Sequence, residues 1–121
     1  FDNVGIVLQS RLFRTPADIA ALPDVPVQVR MVKGIYLEPP EIAYVDAGPI
    51  RDAYLTCCEQ LFARGHAISF ATHDEQMAER LLELVRRMGI APERYEFQVL
   101  MGVREPLWTA WREAGLRVRV Y

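Results

Sequence analysis

Short apolar runs alternate with amphipathic stretches along this chain, and the alternation repeats four times. The runs are rich in valine and isoleucine, which is typical of strands covered on both faces of a parallel sheet. The amphipathic stretches place apolar residues three or four positions apart, which indicates helices with one buried face. The predicted strands are 4–8, 27–36, 66–71, 95–100 and 116–121, and the predicted helices are 15–22, 49–64, 75–88 and 104–114.

Alternating strands and helices predict an α/β fold with a parallel sheet and right-handed crossovers. A Rossmann-like open sheet would suit this order, although no Gly-x-Gly-x-x-Gly follows any strand. Polar residues gather at the C-terminal ends of successive strands, where a (β/α)8 barrel builds its active site. These residues are Gln9, Lys33, Thr72, His73 and Gln98.

Arg30 lies inside an otherwise apolar strand. Desolvating a guanidinium costs several kcal/mol unless it is paired or meets a polar ligand. An ordinary buried ion pair would explain this arginine, and so would a ligand site. Lys33 and Gly34 at the end of the same strand favour the ligand site, although strand geometry places Arg30 and Lys33 on opposite faces.

The start of the first helix has a recognisable local signal. Thr15 followed by Pro16 and Asp18 predicts a helix that begins with Thr15 as its capping residue. Asp74 is the expected cap of the third helix in the same way, and Gly89 is its expected end.

The bulk composition excludes several classes of protein. The chain has 121 residues, 51% of them hydrophobic, and a formal charge of −2, so one globular core is expected. Lysine and arginine are scattered, so no nucleic-acid partner is predicted. No apolar stretch approaches the roughly 20 residues of a membrane span. The adjacent Cys57 and Cys58 lack the spacing of a metal site or a redox pair, so they are expected to be buried free thiols in a reducing cytoplasm. No metal site is predicted near His73.

Four motifs together resemble the proline dehydrogenase family. They occur in the family's order and cover essentially the whole chain: GIVLQ at 5–9, VRMVKGIY at 29–36, FATH at 70–73 and EFQVLMG at 96–102. The resemblance implies a distorted (β/α)8 TIM-like barrel that holds FAD. It also implies oxidation of L-proline to Δ1-pyrroline-5-carboxylate, with electrons passed to a membrane quinone.

The resemblance also implies roles for individual residues. Gln9 would hydrogen-bond the flavin ring, and Arg30 would lie against it as the catalytic residue. Val32, Lys33, Gly34 and Ile35 would lie along the cofactor, and Thr72 and His73 would contact its phosphate and ribose portion. Tyr36 and Leu100 would help to form the wall of the proline pocket.

The family pattern further indicates that residues 1–121 form a single, incomplete C-terminal portion of such a barrel. The family's earlier strands and its last helix, which carries paired arginines for the proline carboxylate, have no counterpart here. A bacterial, cytoplasmic protein is expected, with peripheral contact at the inner face of the membrane and self-association into a homo-oligomer.

Two other functions fit the residues. A lysine that ends a barrel strand can form a Schiff base, so Lys33 could serve an aldolase-type enzyme. A non-catalytic barrel that acts as a scaffold is the other alternative, because fold by itself does not establish function.

Overall fold

The computed structural model describes residues 5–22, 25–33 and 39–120. The strands are β1 (Gly5–Gln9), β2 (Gln28–Val32), β3 (Ala67–Ala71), β4 (Tyr95–Val99) and β5 (Val118–Val120). The helices are α1 (Thr15–Ala20), α2 (Ala47–Ala63), α3 (Glu75–Met88) and α4 (Glu105–Glu113), and a short 3-10 turn covers Pro92–Arg94. The predicted alternation of strands and helices is therefore confirmed.

The five strands form one sheet in the order β1-β2-β3-β4-β5, and every neighbouring pair is parallel. A Rossmann-like sheet changes direction at a switch point, so its strands do not follow one another in sequence order. Here each strand lies beside the next one in the chain, as strands do in a barrel. The strand order therefore decides against the Rossmann-like alternative.

The sheet has two chemically different faces. Alternate residues on one face are buried against the helices, and this core includes Met31, Phe70 and Phe97. The opposite face carries Gln28, Arg30, Ser69, Glu96 and Gln98, and we call it the polar face. The register places Arg30 beside Ser69 and Ser69 beside Glu96, so these side chains lie in one row across three strands.

Thr15 differs from its prediction as a helix cap. It is the first residue of α1, Arg14 precedes it, and no side chain caps this helix end. The Thr15 hydroxyl instead donates a hydrogen bond to the carbonyl oxygen of Gln9, at the end of β1. Thr15 is buried and lies inside the first turn, so its side chain makes a tertiary contact with β1 and does not occupy the capping position.

The predictions for α2 and α3 hold with small shifts. α2 begins at Ala47 rather than at Pro49, because a proline is tolerated throughout the first turn, where its missing N–H has no partner. Asp74 caps α3 through a hydrogen bond from the Met77 N–H, and Gly89 ends the helix at a φ of 66°.

Cys57 and Cys58 are buried free cysteines, as predicted, and burial raises the pKa of Cys57 to about 11.

Tyr54 joins α2 to β2 in the centre of the core. Its side chain is fully buried, and its hydroxyl donates to the carbonyl oxygen of Met31 at 2.8 Å. Tyr54→Phe is expected to lower the free energy of unfolding by about 1–2 kcal/mol, because a buried hydrogen bond is lost without a change in packing. Chemical denaturation would measure the change. The same substitution at the partly exposed Tyr44 is the control, and an equal loss there would contradict this account.

Candidate functional site

A pocket of about 660 Å³ lies at the C-terminal ends of β1 to β4. Its size is within the range of small-molecule sites. Every described residue that the sequence assigned to cofactor or substrate lines it: Gln9, Arg30, Val32, Lys33, Thr72, His73 and Leu100. The predicted site residues Gly34, Ile35 and Tyr36 lie outside the described residues. The structure thus brings residues from four strands into one site, while their individual roles stay predictions.

Arg30 extends from the polar face of β2 towards this pocket and is half-buried. Its Nε donates a hydrogen bond of 2.8 Å to Oε1 of Gln98, which lies on β4, 68 residues further along the chain. A guanidinium has five N–H donors in a rigid plane, so a bond to Nε fixes the direction of that plane. Arg30 is therefore held by a strand that is not its neighbour.

Asp74 connects three elements at the edge of the pocket. Its Oδ2 accepts hydrogen bonds from Lys33 Nζ and from Arg51 Nε, the latter at 2.8 Å. Its Oδ1 accepts from the Met77 N–H at 3.1 Å, which caps α3. Burial by itself would raise the pKa of Asp74, but the hydrogen bonds from Lys33 and Arg51 outweigh it and bring the pKa well below its ordinary value. Two cations and one carboxylate leave a net positive charge at this edge.

His73 is fixed by backbone contacts on both sides. Its Nε2 accepts a hydrogen bond from the Leu100 N–H at 3.0 Å, and its carbonyl oxygen accepts from Arg104. Because Nε2 is an acceptor, the ring is neutral with its proton on Nδ1. Burial lowers the pKa of His73, and the Arg104 guanidinium lowers it further, so the neutral ring is the form present at pH 7.

Thr72 completes the turn between β3 and α3. Its side chain is buried, and its hydroxyl accepts a hydrogen bond from the Asp74 N–H at 3.1 Å. The turn is therefore held in place by its own polar groups before any ligand contacts it.

The pocket suits a ligand with an anionic part and a flat, partly apolar part. Lys33 lines the pocket and supplies a cation that can meet a phosphate, while Arg51 lies behind it, paired with the lining carboxylate of Asp74. Val7, Val99 and Leu100 supply apolar wall beside the polar groups of the strand ends. FAD joins a pyrophosphate to an aromatic ring system, so this set of donors and walls fits FAD.

Sequence reasoning did not foresee the ion-pair cluster beside the pocket, which joins the lining residue Asp74 to Lys33 and Arg51. Asp74 was predicted only as a helix cap, and its ion pairs with Lys33 and Arg51 were not foreseen. Arg51 lies in the first half of α2, and nothing in its local sequence marks it as part of a site. For Asp74 a signal did exist, since it directly follows two residues that the motifs had already selected.

The fold and the pocket define a parallel α/β protein with a candidate ligand pocket at the carboxyl ends of its strands. A sequence profile of proline dehydrogenase matches residues 1–121. The chain belongs to the proline dehydrogenase family, which confirms the resemblance recognised in its motifs.

Comparison with individual proteins also supports membership of the proline dehydrogenase family. The chain is 40% identical to a proline dehydrogenase of Deinococcus radiodurans over 99% of its length, and 32% identical to proline dehydrogenase 2 of Bacillus subtilis over its whole length. It covers 39% and 40% of those proteins, so it spans about two fifths of the length of these two relatives.

A solved structure of proline utilization A from Bdellovibrio bacteriovorus, inactivated by N-propargylglycine, superposes with a TM-score of 0.90 at 26% identity. The superposition covers all of this chain and 14% of that one. The match extends over all five strands and supports the predicted sheet.

Among the described residues, no helix has both the length and the apolar character needed to cross a bilayer.

Proposed function

We propose that this chain forms the flavin-contacting part of an FAD-dependent proline dehydrogenase. The reaction is the oxidation of L-proline to Δ1-pyrroline-5-carboxylate, the first step of proline catabolism. One observation carries the proposal: a chain matched by the family profile over residues 1–121 gathers seven predicted site residues around a single pocket.

In this proposal different residues contact different parts of the cofactor and the substrate. Gln9 and Arg30 contact the flavin ring, while Val32, Lys33, Thr72 and His73 contact the rest of the cofactor, together with Gly34 and Ile35. Leu100 and Tyr36 form part of the wall of the proline pocket. The bound flavin supplies the electron acceptor that proline oxidation requires.

Arg30 has the central chemical role in this proposal. Oxidation of an amine by a flavin places negative charge on the ring, and a fixed cation beside the ring stabilises that charge. The bond from Arg30 to Gln98 supports this role, because it holds the guanidinium in one direction before ligand binds. A preorganised cation needs no rearrangement during the reaction.

Lys33, Arg51 and Asp74 serve the anionic part of the cofactor. Asp74 pairs with Lys33, which lines the pocket, and with Arg51 behind it, and the combined charge of the three groups remains positive. The first turn of α3 lies at the same place and adds the favourable end of a helix dipole. The arrangement therefore favours a pyrophosphate at this edge.

The Schiff-base alternative is less well supported by the geometry. Lys33 Nζ donates to the ionised Asp74, whereas a lysine that attacks a carbonyl must present an unprotonated amine to it. The scaffold alternative does not explain why polar residues from four strands line a single pocket. Four further parts of the proposal are inferred from the family alone. They are the quinone acceptor, the contact with the inner face of the membrane, the cytoplasmic location and self-association.

The purified protein that carries this chain is expected to be yellow, and L-proline is expected to bleach it without added nicotinamide cofactor. Absorption spectroscopy in the visible range, before and after anaerobic addition of proline, makes the measurement. D-proline is the control, since it has the same composition but the opposite configuration. A colourless protein that borohydride traps covalently on Lys33 would instead support the aldolase-type reaction.

A further inference from the structure

A chain of hydrogen bonds, buried at Glu96 and part-buried at Arg30, crosses the polar face and includes Arg30. Gln98 is 7% exposed and lies between Arg30 on β2 and Glu96 on its own strand. Its Oε1 accepts from Arg30 Nε at 2.8 Å, and its Nε2 donates to Glu96 Oε1 at 3.1 Å. The Gln98 amide is thus engaged at both ends.

The chemistry of the two partners fixes the orientation of this amide. A guanidinium can only donate hydrogen bonds, and an ionised carboxylate can only accept them. The oxygen of Gln98 must therefore face Arg30, and its nitrogen must face Glu96. A rotation of the amide by 180° would place two donors against each other on one side and two acceptors against each other on the other side.

Glu96 is itself held from three directions. It is buried, and its Oε1 accepts a hydrogen bond from the Ser69 hydroxyl at 3.2 Å. Arg119 lies 3.4 Å from Oε1 and Arg117 lies 3.8 Å from Oε2, both on the side of β5. The carboxylate therefore has its charge balanced away from Arg30 and can serve as a fixed anchor for the Gln98 amide.

We propose that Gln98, anchored by Glu96, is a positioning residue that sets the direction of the Arg30 guanidinium at the flavin pocket. The inference rests on the proposed function, because it assumes that Arg30 acts on bound flavin. It assigns a role to Gln98 that the family motifs alone do not give. Gln98 acts through Arg30 and is not itself a reacting group.

The test is a double-mutant cycle on the flavin-loaded protein with Gln98→Met and Arg30→Met. Methionine keeps the length of glutamine and removes both hydrogen bonds. We expect Gln98→Met to lower kcat for proline about tenfold with little change in KM, and to shift the flavin potential in the same direction as Arg30→Met. In the double variant the effects should not add, because Gln98 has nothing to position once Arg30 is absent.

Gln28→Met is the matched control. Gln28 lies on the same face of the sheet and donates to Ser69 at 2.7 Å, so it joins the same polar network, and among the described residues it has no hydrogen bond with Gln98. This variant should keep the wild-type potential and kcat. If it lowers them as much as Gln98→Met does, general disruption of the polar face explains the result and the inference fails.

The remaining outcomes also decide the question. Fully additive losses in the cycle, or an unchanged potential in Gln98→Met, would overturn the positioning role while leaving proline oxidation intact. A wild-type protein that binds no flavin would remove the proposed function and this inference together. If Gln98→Met does not fold, Gln98→Asn keeps an amide that is too short to reach Arg30. If that variant also fails to fold, Gln98 is structural and the inference is wrong.

Discussion

Replacing Arg30 with methionine is expected to slow proline oxidation about a hundredfold, the usual cost of removing one preorganised electrostatic group from an active site. The substitution keeps the length of the side chain and removes its charge. The reduction potential of the bound flavin should fall in parallel, because the negative charge of the reduced ring loses its stabilising cation. Steady-state kinetics and spectroelectrochemical titration measure the two effects.

Stability separates this role from a purely structural one. The bond from Arg30 to Gln98 joins a cation to a neutral amide, so its loss should cost about 2 kcal/mol of unfolding free energy. Arg80→Met is the control, because Arg80 forms an exposed ion pair with Asp52 on the outer surface of the helices and should leave potential and turnover unchanged. Normal turnover and an unaltered potential in Arg30→Met, with or without a drop in melting temperature, would end the catalytic assignment.

The second large effect concerns the stability contributed by Asp74. At pH 7, Asp74→Asn should lower the free energy of unfolding by about 2–3 kcal/mol, since both charge-assisted hydrogen bonds to Lys33 and Arg51 are weakened. Asparagine still caps a helix, so Asp74→Ala should cost about 1 kcal/mol more. Urea denaturation of the three proteins separates the ion pairs from the cap.

The pH dependence of this effect follows from the lowered pKa of Asp74. Because the folded-state pKa lies below the ordinary value of 3.8, the stabilisation is fully present above about pH 4. It is lost progressively as the pH falls from there through the folded-state pKa, because the unfolded state binds the proton first. The difference between wild type and Asp74→Asn should therefore shrink in acid, while other carboxyl groups titrate equally in both proteins. A difference that stays constant from pH 7 to pH 3 would show that Asp74 does not carry this charge.

Local signals were enough to predict the elements of the fold. Apolar runs and the glycines that end them depend on neighbours within a turn or a strand, and Gly89 ends α3 as its sequence position predicted. Local signals failed at Thr15, where a capping pattern was present but the helix begins at Thr15 itself and its hydroxyl donates to the carbonyl oxygen of Gln9. Helix boundaries are sensitive to such tertiary competition, because alternative capping bonds differ by only about 1 kcal/mol.

The sequence by itself selected the candidate site residues, because an arginine within an apolar strand, a lysine at a strand end and a histidine before a helix are visible without coordinates. It also determined the family, through four motifs in order. Only the tertiary structure decided which groups these residues contact: Arg30 meets Gln98 across 68 positions, and Lys33 meets Asp74 across 41. The physical reason is that such pairings depend on strand register and helix packing, which arise from the whole sheet rather than from neighbours in the chain.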